Sequence, residues 1–307
     1  MRVLWVTLVC ILVAGYAFAS PDAGTAVFNF LKVGLGARAP GMGGAFTGVA
    51  DDVTSIYWNP AGLTRVSGAE ATAGYVKYMA GINSGFAAYA RPLGPKSRLG
   101  VGVNSFYVGG LTKTDENNNE LGEFGSAMLV PSVAYAADLG EEISVGATAK
   151  FVYQSIDIYN SYGAAVDLGC TYTPAEALYS FGLVVQNLGR QLKAFVTEKD
   201  ILPITARIGG VYRHKEAPFV AGLDVGKSID SGFFFSLGAE YWANPMLGIR
   251  FGYSSTGQEL HSDSPSDIMG GFSFGLGLRW KQYGLDYALV PKVDLGLVNR
   301  LSVSVRM

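Results

Sequence analysis

The 307-residue chain is poor in the residues from which catalytic and metal sites are most often built. It has two cysteines and two histidines, which excludes a disulfide framework and a thiolate metal cluster. Beyond residue 19, no stretch approaches the roughly 18 consecutive apolar residues that indicate a transmembrane helix. Charged residues are 16% of the chain and sum to a net charge of −2, so no basic surface for nucleic acid is indicated.

The remaining reactive residues form no catalytic pattern. His214 is predicted in a short turn and His261 in a loop, and their spacing is not that of metal ligands. Cys170 follows the apolar side of an alternating segment, where a free cysteine acts as a small apolar residue. The sequence therefore predicts a protein that is not an enzyme and that has no metal site and no cofactor.

Residues 1–19 have the composition of a secretory signal peptide. Arg2 provides the positive start, Val3–Val13 form the apolar part, and Ala17–Ala19 fit a small-residue cleavage site. A single membrane-spanning helix is the alternative, but the apolar part is short for that role. We expect export and a mature chain that begins near Ser20.

The main positive signal is an alternation of apolar with small or polar residues. From Phe272 to Trp280, every second residue is apolar and the others are serine, glycine or arginine. Successive strand side chains point to opposite faces, so one face of this segment is apolar and the other polar. About 14 such segments follow one another within residues 67–307. The pattern predicts an all-β fold, a closed antiparallel transmembrane β-barrel.

The predicted strands are close to ten residues long, whereas strands of globular proteins usually have about five or six. A soluble β-sandwich or propeller remains the structural alternative. Pro131 lies within one predicted strand, where we expect a bulge or kink. The predicted strands span residues 68–78, 82–92, 97–107, 124–138, 143–154, 161–173, 179–187, 201–213, 218–226, 232–242, 247–255, 270–280, 282–290 and 299–307.

Charged residues within the predicted strands share the face opposite the apolar one. An arginine or lysine facing lipid costs roughly 2–4 kcal/mol at the membrane midplane, whereas a watery lumen accepts it. We therefore predict an aqueous interior lined by charges. The residues assigned to it are Lys150, Asp167, Arg207, Asp224, Glu240, Arg250, Arg279, Asp286 and Arg306.

The connections also sort by length. Six alternate connections are short, as periplasmic turns are in bacterial barrels. The longest predicted connections, at residues 109–123, 188–200, 255–269 and 291–298, all fall at the opposite end. This sorting supports the strand count and an outer-membrane location in a Gram-negative cell, with outer-membrane lipid around the barrel.

Residues 20–66 are glycine-rich and lack sustained alternation, so they form a separate N-terminal segment. The segment contains the motif G-A-R-A-x-x-M-G-G-A-F from Gly36, then A-D-D, then W-N-P-A-G-L ending at Leu63. No phosphate-binding G-x-x-x-x-G-K-[ST] pattern is present. This motif resembles the N-terminal hatch of the FadL-like outer-membrane barrels, specifically their PorV/PorQ branch.

The resemblance implies that residues 20–66 fold into the lumen as a plug. The glycines of this segment allow close backbone packing inside a tube. Its aspartates and its Asn-Pro pair have an alternative role, which is only to cap and fix turns. The plug positions are Gly41, Gly43, Gly44, Asp51, Asp52, Asn59 and Pro60.

The resemblance implies two functions between which the sequence does not choose. In the fatty-acid transporters of the family, hydrophobic substrates pass the plug and leave sideways through the wall. This implies passage of small, hydrophobic molecules across the outer membrane. PorV itself is a partner for exported proteins in type IX secretion, which implies secreted proteins as partners.

Overall fold

The computed structural model describes residues 25–78, 81–175, 177–258, 270–292 and 296–307. The predicted signal peptide, Cys10 and His261 lie outside the described residues. Within the described residues, no helix combines the length and apolar character needed to cross a membrane.

The strands form a closed barrel in which every neighbouring pair is antiparallel. Each strand pairs with the next in sequence, and β1 closes the ring by pairing with β14 over its whole length. This confirms the predicted barrel of about 14 strands. The strands are β1 (Glu70–Lys77), β2 (Asn83–Gly94), β3 (Ser97–Thr114), β4 (Glu120–Asp138), β5 (Ile143–Ile156), β6 (Tyr159–Tyr172), β7 (Tyr179–Lys193), β8 (Thr205–Arg213), β9 (Phe219–Ser228), β10 (Phe233–Asn244), β11 (Leu247–Ser254), β12 (Phe272–Trp280), β13 (Tyr283–Lys292) and β14 (Gly296–Arg306).

The alternation in the sequence corresponds to the two faces of the wall. In β12, Phe274, Leu276 and Leu278 are 41–49% exposed on the outside, whereas Ser273 is buried on the inside. The same outer exposure of large apolar side chains recurs around the ring. A continuous apolar surface of this kind is unfavourable in water and suited to acyl chains.

One predicted connection is mostly strand, and a second is partly so. β3 runs on to Thr114 and β4 begins at Glu120, so residues 109–123 form the tip of a long hairpin. Gly109 and Gly110 form a bulge, across which the pairing shifts between Val108 and Leu111. The prediction of a long loop was wrong there because a double glycine indicates a bulge as well as a turn. β7 likewise continues to Lys193, beyond the predicted end.

Of the bulge or kink expected at Pro131, the bulge is not found. β4 keeps one register with β5 on both sides of Pro131, from Leu129–Tyr153 to Ser132–Lys150. The two intervening pairs are absent, and pairing with β3 continues through Val103–Pro131. Proline removes a ladder hydrogen bond without requiring an extra residue, so the ladder is interrupted but not shifted.

The two ends of the barrel differ in their connections. One end, here called the short-turn end, carries the turns that follow the even-numbered strands, such as residues 95–96 and 245–246. The other, here called the long-loop end, carries the connections at residues 194–204 and 255–271. A 3-10 turn, Ser255–Gln258, lies at the start of the second connection.

Candidate functional site inside the barrel

Residues 25–66, here called the inner segment, pack against the inner face of the wall. The segment contains short helical turns rather than long helices, and its middle is almost fully buried. Each turn spans four to six residues, too few for stable helices on their own, so contacts with the wall fix their positions. The turns are Asn29–Lys32, Arg38–Gly41, Ser55–Trp58 and Pro60–Arg65.

A belt of glycines on eight consecutive strands receives the inner segment. A Cβ added to any of them would come within 3.3 Å of an inner-segment atom. At Gly209, for example, it would lie 2.9 Å from the backbone nitrogen of Gly48. The glycines thus let backbone approach backbone. The belt consists of Gly146, Gly169, Gly182, Gly209, Gly222, Gly238, Gly252 and Gly275.

The inner segment follows this belt nearly in chain order. Gly41 lies against Gly275 of β12, and Ala45 lies against Gly222 of β9. Pro60 lies against Gly146 of β5. The chain therefore circles the interior from β12 to β5, and its contacts with strands on all these sides place it inside the ring.

The predicted glycines at the start of this path have distinct geometries. Gly43 has a positive φ of 65°, and a Cβ there would lie 2.6 Å from the backbone of Tyr253. Gly44 also has a positive φ, 79°. Gly41 is helical, and its requirement for glycine comes from the 3.2 Å approach of Gly275. Both left-handed backbone and close wall contact therefore select glycine here.

Asn59 joins two turns of the inner segment to the wall. Its side chain is fully buried and accepts a hydrogen bond from the backbone N–H of Ala61, which caps the turn that begins at Pro60. Its Nδ2 donates to the carbonyl oxygens of Thr47, 2.9 Å away, and of Cys170 in β6, 3.2 Å away. Asn59 therefore acts as a turn cap and as a cross-link.

An ionic network ties the inner segment to β10. Both oxygens of Glu240 accept hydrogen bonds from Arg38, at 2.9 and 2.8 Å. The same guanidinium contacts Asp51 at 2.5 Å and Asp52 at 3.0 Å. Such a bidentate pair has directional as well as electrostatic stabilisation. Arg213 of β8 adds an ion pair to Asp51, at 3.3 Å.

The aspartates of the network lie on the inner segment, outside the strands. Burial alone would raise the pKa of Asp51, but the cationic side chains of Arg38 and Arg213 beside it outweigh burial and lower that pKa below its ordinary value. Asp52 also accepts a hydrogen bond from the backbone N–H of Thr54 at 2.9 Å, so it fixes a local turn as well.

The network continues into the wall through Arg250. Its side chain is fully buried, with an ion pair to Glu240 at 2.6 Å and one to Asp286 of β13 at 2.7 Å. Four strands and the inner segment are therefore linked by alternating charges near the short-turn end. Burial without such partners would be strongly unfavourable for each of these charges.

A second buried pair lies in the middle of the wall. Lys150 of β5 and Asp167 of β6 are 2.5 Å apart, and both are almost fully buried. Lys150 also donates to Asn187, whose positive φ of 62° accompanies a bulge of β7 opposite Asp167. The backbone N–H of Asn187 donates to Asp167 at 2.7 Å.

The remaining predicted lumen charges have different surroundings. Asp224 is buried and accepts hydrogen bonds from the backbone N–H groups of Phe46 and Thr47. Arg279 lies over Trp242, 3.9 Å from the ring centre. Arg306 is half exposed at the rim, 3.4 Å from Glu70. Arg207 lies in the long-loop half of the interior, between two aromatic rings.

Two apolar pockets lie on the β2–β4 side of the interior. The first, at the long-loop end, has a volume of about 170 Å³ and is lined by Phe30, Ile82, Phe106 and Met128, among others. The second, about 30 Å³ and deeper, is lined by Leu31, Leu35, Ile56, Phe86 and Val130, among others. The two linings share no residue but use neighbouring positions, since Phe30 of the first pocket precedes Leu31 of the second in the chain.

Sequence reasoning missed two arginines that are central to the interior. Arg300 shares the face of Ser302 and Ser304 in β14, so the alternation could have identified it. Arg38 lies in the glycine-rich motif of the inner segment, outside any strand. No alternation therefore predicts which way its side chain points. The tertiary contacts alone reveal that it joins Asp51 to Glu240.

No catalytic arrangement is found among the described residues. Gly271–Gly275 matches the G-x-S-x-G pattern of hydrolases, but it enters strand β12 rather than a strand-to-helix turn. Its Ser273 accepts a hydrogen bond from the backbone N–H of Gly43. The Nδ1 of His214 accepts two backbone hydrogen bonds within a turn. The described residues contain no group of potential metal ligands.

Comparison with known proteins identifies the fold. No protein-family model matches the chain, and no curated protein matches it. The PorV/PorQ assignment therefore stays a prediction based on the motif.

Several solved structures are similar over nearly the whole chain. The monoaromatic hydrocarbon channel CymD has a TM-score of 0.64 at 16% identity, with 90% of this chain and 98% of that chain covered. The toluene transporter TodX of Pseudomonas putida has 0.60 at 14%, with 88% and 96% covered. A FadL homologue of Pseudomonas aeruginosa has 0.54 at 13%, with 95% and 100% covered. The chain therefore has the fold of these channels and transporters, the FadL-like barrel that its N-terminal motif implied.

Proposed function

We propose that the protein is an outer-membrane channel for small, hydrophobic molecules, with the inner segment as its plug. Large apolar side chains cover the outer face of the closed barrel. They support a membrane location, because acyl chains are a favourable environment for them and water is not. The similar solved structures include channels and a transporter for aromatic hydrocarbons, which supports the same class of solute here.

The observation that carries the proposal is a pair of apolar pockets inside the barrel with an apolar groove on the outer face of the wall beside them. The pocket at the long-loop end is lined by aromatic and aliphatic side chains such as Phe30 and Met128. A molecule without hydrogen-bonding groups loses nothing on entering such a site and gains from leaving water. The adjoining inner pocket is narrow, so passage through it requires side-chain movement.

The wall beside the inner pocket is thin. A groove on the outer face shares four lining residues with the inner pocket. Three of them are alanine or glycine, and on the β4 side of the same pocket the β4–β5 ladder lacks two pairs, at Val130 and Pro131. The shared residues are Ala87, Ala88, Gly102 and Val103.

The opposite direction, through the short-turn end, is less favourable for an apolar solute. There the glycine belt holds the inner segment against the wall, and the network of Arg38, Glu240 and Arg250 surrounds it with charge. An apolar molecule would have to separate buried ion pairs to pass. The proposed path therefore runs from the long-loop end to the membrane through the β2–β3 wall.

Uptake by whole cells tests the proposal, because the lipopolysaccharide leaflet slows entry of hydrophobic solutes. We expect a Gram-negative host without its own hydrocarbon channel to take up radiolabelled toluene faster when it produces this protein. Ala88→Trp fills the inner pocket and should return uptake to the level of the empty host. Ala149→Trp places the same side chain on the lipid face of β5 and should leave uptake unchanged.

Equal outer-membrane amounts of all three proteins must first be shown by their heat-dependent gel mobility. The proposal fails if the unsubstituted protein gives no increase over the empty host. The sideways path fails if Ala88→Trp and Ala149→Trp behave alike. The alternative role, as a partner of secreted proteins, has no observation in its favour among the described residues and stays a prediction.

A further inference from the structure

A cavity with a mixed lining of polar and apolar side chains lies on the side of the interior opposite the apolar pockets. It occupies about 360 Å³ in the long-loop half, between the inner segment and strands β8 to β14. Hydroxyl side chains from several strands line it, among them Thr205, Ser236 and Ser273. These hydroxyls offer hydrogen bonds to a ligand, and side chains such as Trp58 and Phe234 give the same cavity an apolar part.

Two arginines of this cavity lack an acidic partner among the described residues. Arg300 is only 6% exposed, and it donates to the carbonyl oxygen of Gly34 and to the hydroxyl of Tyr78, both at 2.6 Å. Its Nε is buried without any hydrogen-bond partner, as is the Nε of Arg207. No carboxylate of the described residues lies within ion-pair distance of either guanidinium.

The other charges around the cavity are already compensated. Lys32 forms an ion pair with Asp230 at 2.8 Å. Asp224, on the strand next to Arg207, accepts hydrogen bonds from two backbone N–H groups of the inner segment, and its charge also interacts with Arg207 without forming an ion pair. The charge of Arg207 is therefore only partly compensated, and Arg300 forms no ion pair with any described residue. A buried charge without a partner is unfavourable, and an incoming anion relieves that cost.

Aromatic rings hold Arg207 in position. Its guanidinium lies 5.5 Å from the ring centre of Trp58 and 4.9 Å from that of Phe234. Stacking uses the faces of the planar group and leaves its N–H edge available for hydrogen bonds. That edge matches the two oxygens of a carboxylate or phosphate.

We propose that this cavity binds a small, hydrogen-bonding organic anion. Arg207 and Arg300 bind its carboxylate or phosphate, and the surrounding hydroxyl side chains bind its polar remainder. The site is separate in place and chemistry from the apolar pockets. It therefore goes beyond the proposed hydrocarbon path and does not depend on it.

Titration calorimetry on the purified, detergent-solubilised protein tests the proposal with three related probes. D-glucuronate and D-glucose 6-phosphate carry a carboxylate and a phosphate, and D-glucose is the neutral counterpart. We expect at least one anion to bind about tenfold or more tightly than glucose, a difference that the charge alone provides. The stronger of the two anions identifies the preferred group.

Arginine variants then locate the site. Arg207→Gln and Arg300→Gln should each weaken binding of that anion by about tenfold or more and leave any glucose binding unchanged. Arg279→Gln is the matched control, because this inner-face arginine lies outside the cavity and should bind the anion normally. If Arg300→Gln fails to insert into the membrane, anion binding by the unsubstituted protein is measured instead at increasing sodium chloride concentrations. The affinity for the anion should fall as the salt concentration rises.

The proposal is overturned if neither anion binds more tightly than glucose. It is also overturned if Arg207→Gln binds the anion as well as Arg279→Gln does, or if added salt leaves the affinity unchanged.

Discussion

At the scale of single residues, glycines on the inner face of the wall decide where the inner segment can pack. The glycine belt lets the inner segment lie against the wall with no intervening side chain, and one extra methyl group meets backbone atoms. Neighbouring Gly209 and Gly210 illustrate the difference. A Cβ on the first would clash with Oδ1 of Asp224, its nearest atom, and lie 2.9 Å from the backbone nitrogen of Gly48, whereas the nearest atom to a Cβ on the second is a ring carbon of Phe181 at 3.8 Å.

Substituting these two neighbours provides a matched test. Gly209→Ala should lower the free energy of unfolding by about 2 kcal/mol, because overpacking a closely fitted site typically costs 1–3 kcal/mol. Gly210→Ala should change it little, since its side chain meets only ordinary van der Waals contact. Urea unfolding of the folded barrel in lipid vesicles measures both values. Equal effects would contradict the close approach of Asp224 and Gly48 to Gly209.

The charge of Asp51 gives a second prediction, in pH dependence. Because the pKa of Asp51 is lower in the folded protein, its carboxylate stabilises the fold above the ordinary aspartate value of 3.8. That contribution disappears as pH falls through the folded-state pKa. Asp51→Asn should therefore reduce stability at pH 7, and the difference from the unsubstituted protein should shrink toward zero in acid. Unfolding curves at pH 7 and below 3.8 measure this, and a constant difference would contradict it.

At the scale of strands, the alternation predicted which side chains face out and which face in. Its one lapse in β5, the inward Val152, has a physical reason. Val152 is fully buried against Phe28, Leu31 and Leu202, so this part of the lumen is apolar and filled. An alternation with a period of two shows only which face of the strand a side chain lies on. Whether that face meets water or other apolar side chains depends on the rest of the structure. The apolar pockets could not be predicted for the same reason.

Placing one charge on each face tests the strand assignment. Leu276→Arg puts a guanidinium on the lipid face of β12, at a cost of roughly 2–4 kcal/mol near the midplane. Ser304→Arg puts the same group on the inner face of β14, beside a polar cavity at the short-turn end. We expect poor assembly of the first variant and normal assembly of the second. The heat-shifted fraction on a gel measures assembly, and equal fractions would refute the assignment.

At the scale of the whole molecule, closure accounts for the absence of an exposed edge. β1 pairs with β14 through eight residues in register, so every strand has two neighbours. A membrane offers no hydrogen bonds to an unpaired edge, which makes closure a condition for spanning it. The closed ring also fixes the inner segment, since residues about 200 positions apart, such as Arg38 and Glu240, meet inside it.

Closure predicts resistance to detergent. We expect the unheated protein to migrate differently in a dodecyl sulfate gel from the boiled protein, because a ring without an edge unfolds slowly in detergent. We also expect it in the outer-membrane fraction of the cell. Recovery as a freely soluble periplasmic protein, with one mobility before and after heating, would contradict the membrane assignment.

The sequence by itself determined the two faces of each strand, the approximate strand boundaries and the even strand number. Those properties are local, because side-chain direction in a strand depends only on position along it. The tertiary structure alone decided which interior charges form ion pairs, which do not, and how the inner segment separates the apolar pockets from the cavity that holds Arg207 and Arg300. Those properties depend on closure of the ring, which brings together side chains that no spacing in the sequence relates.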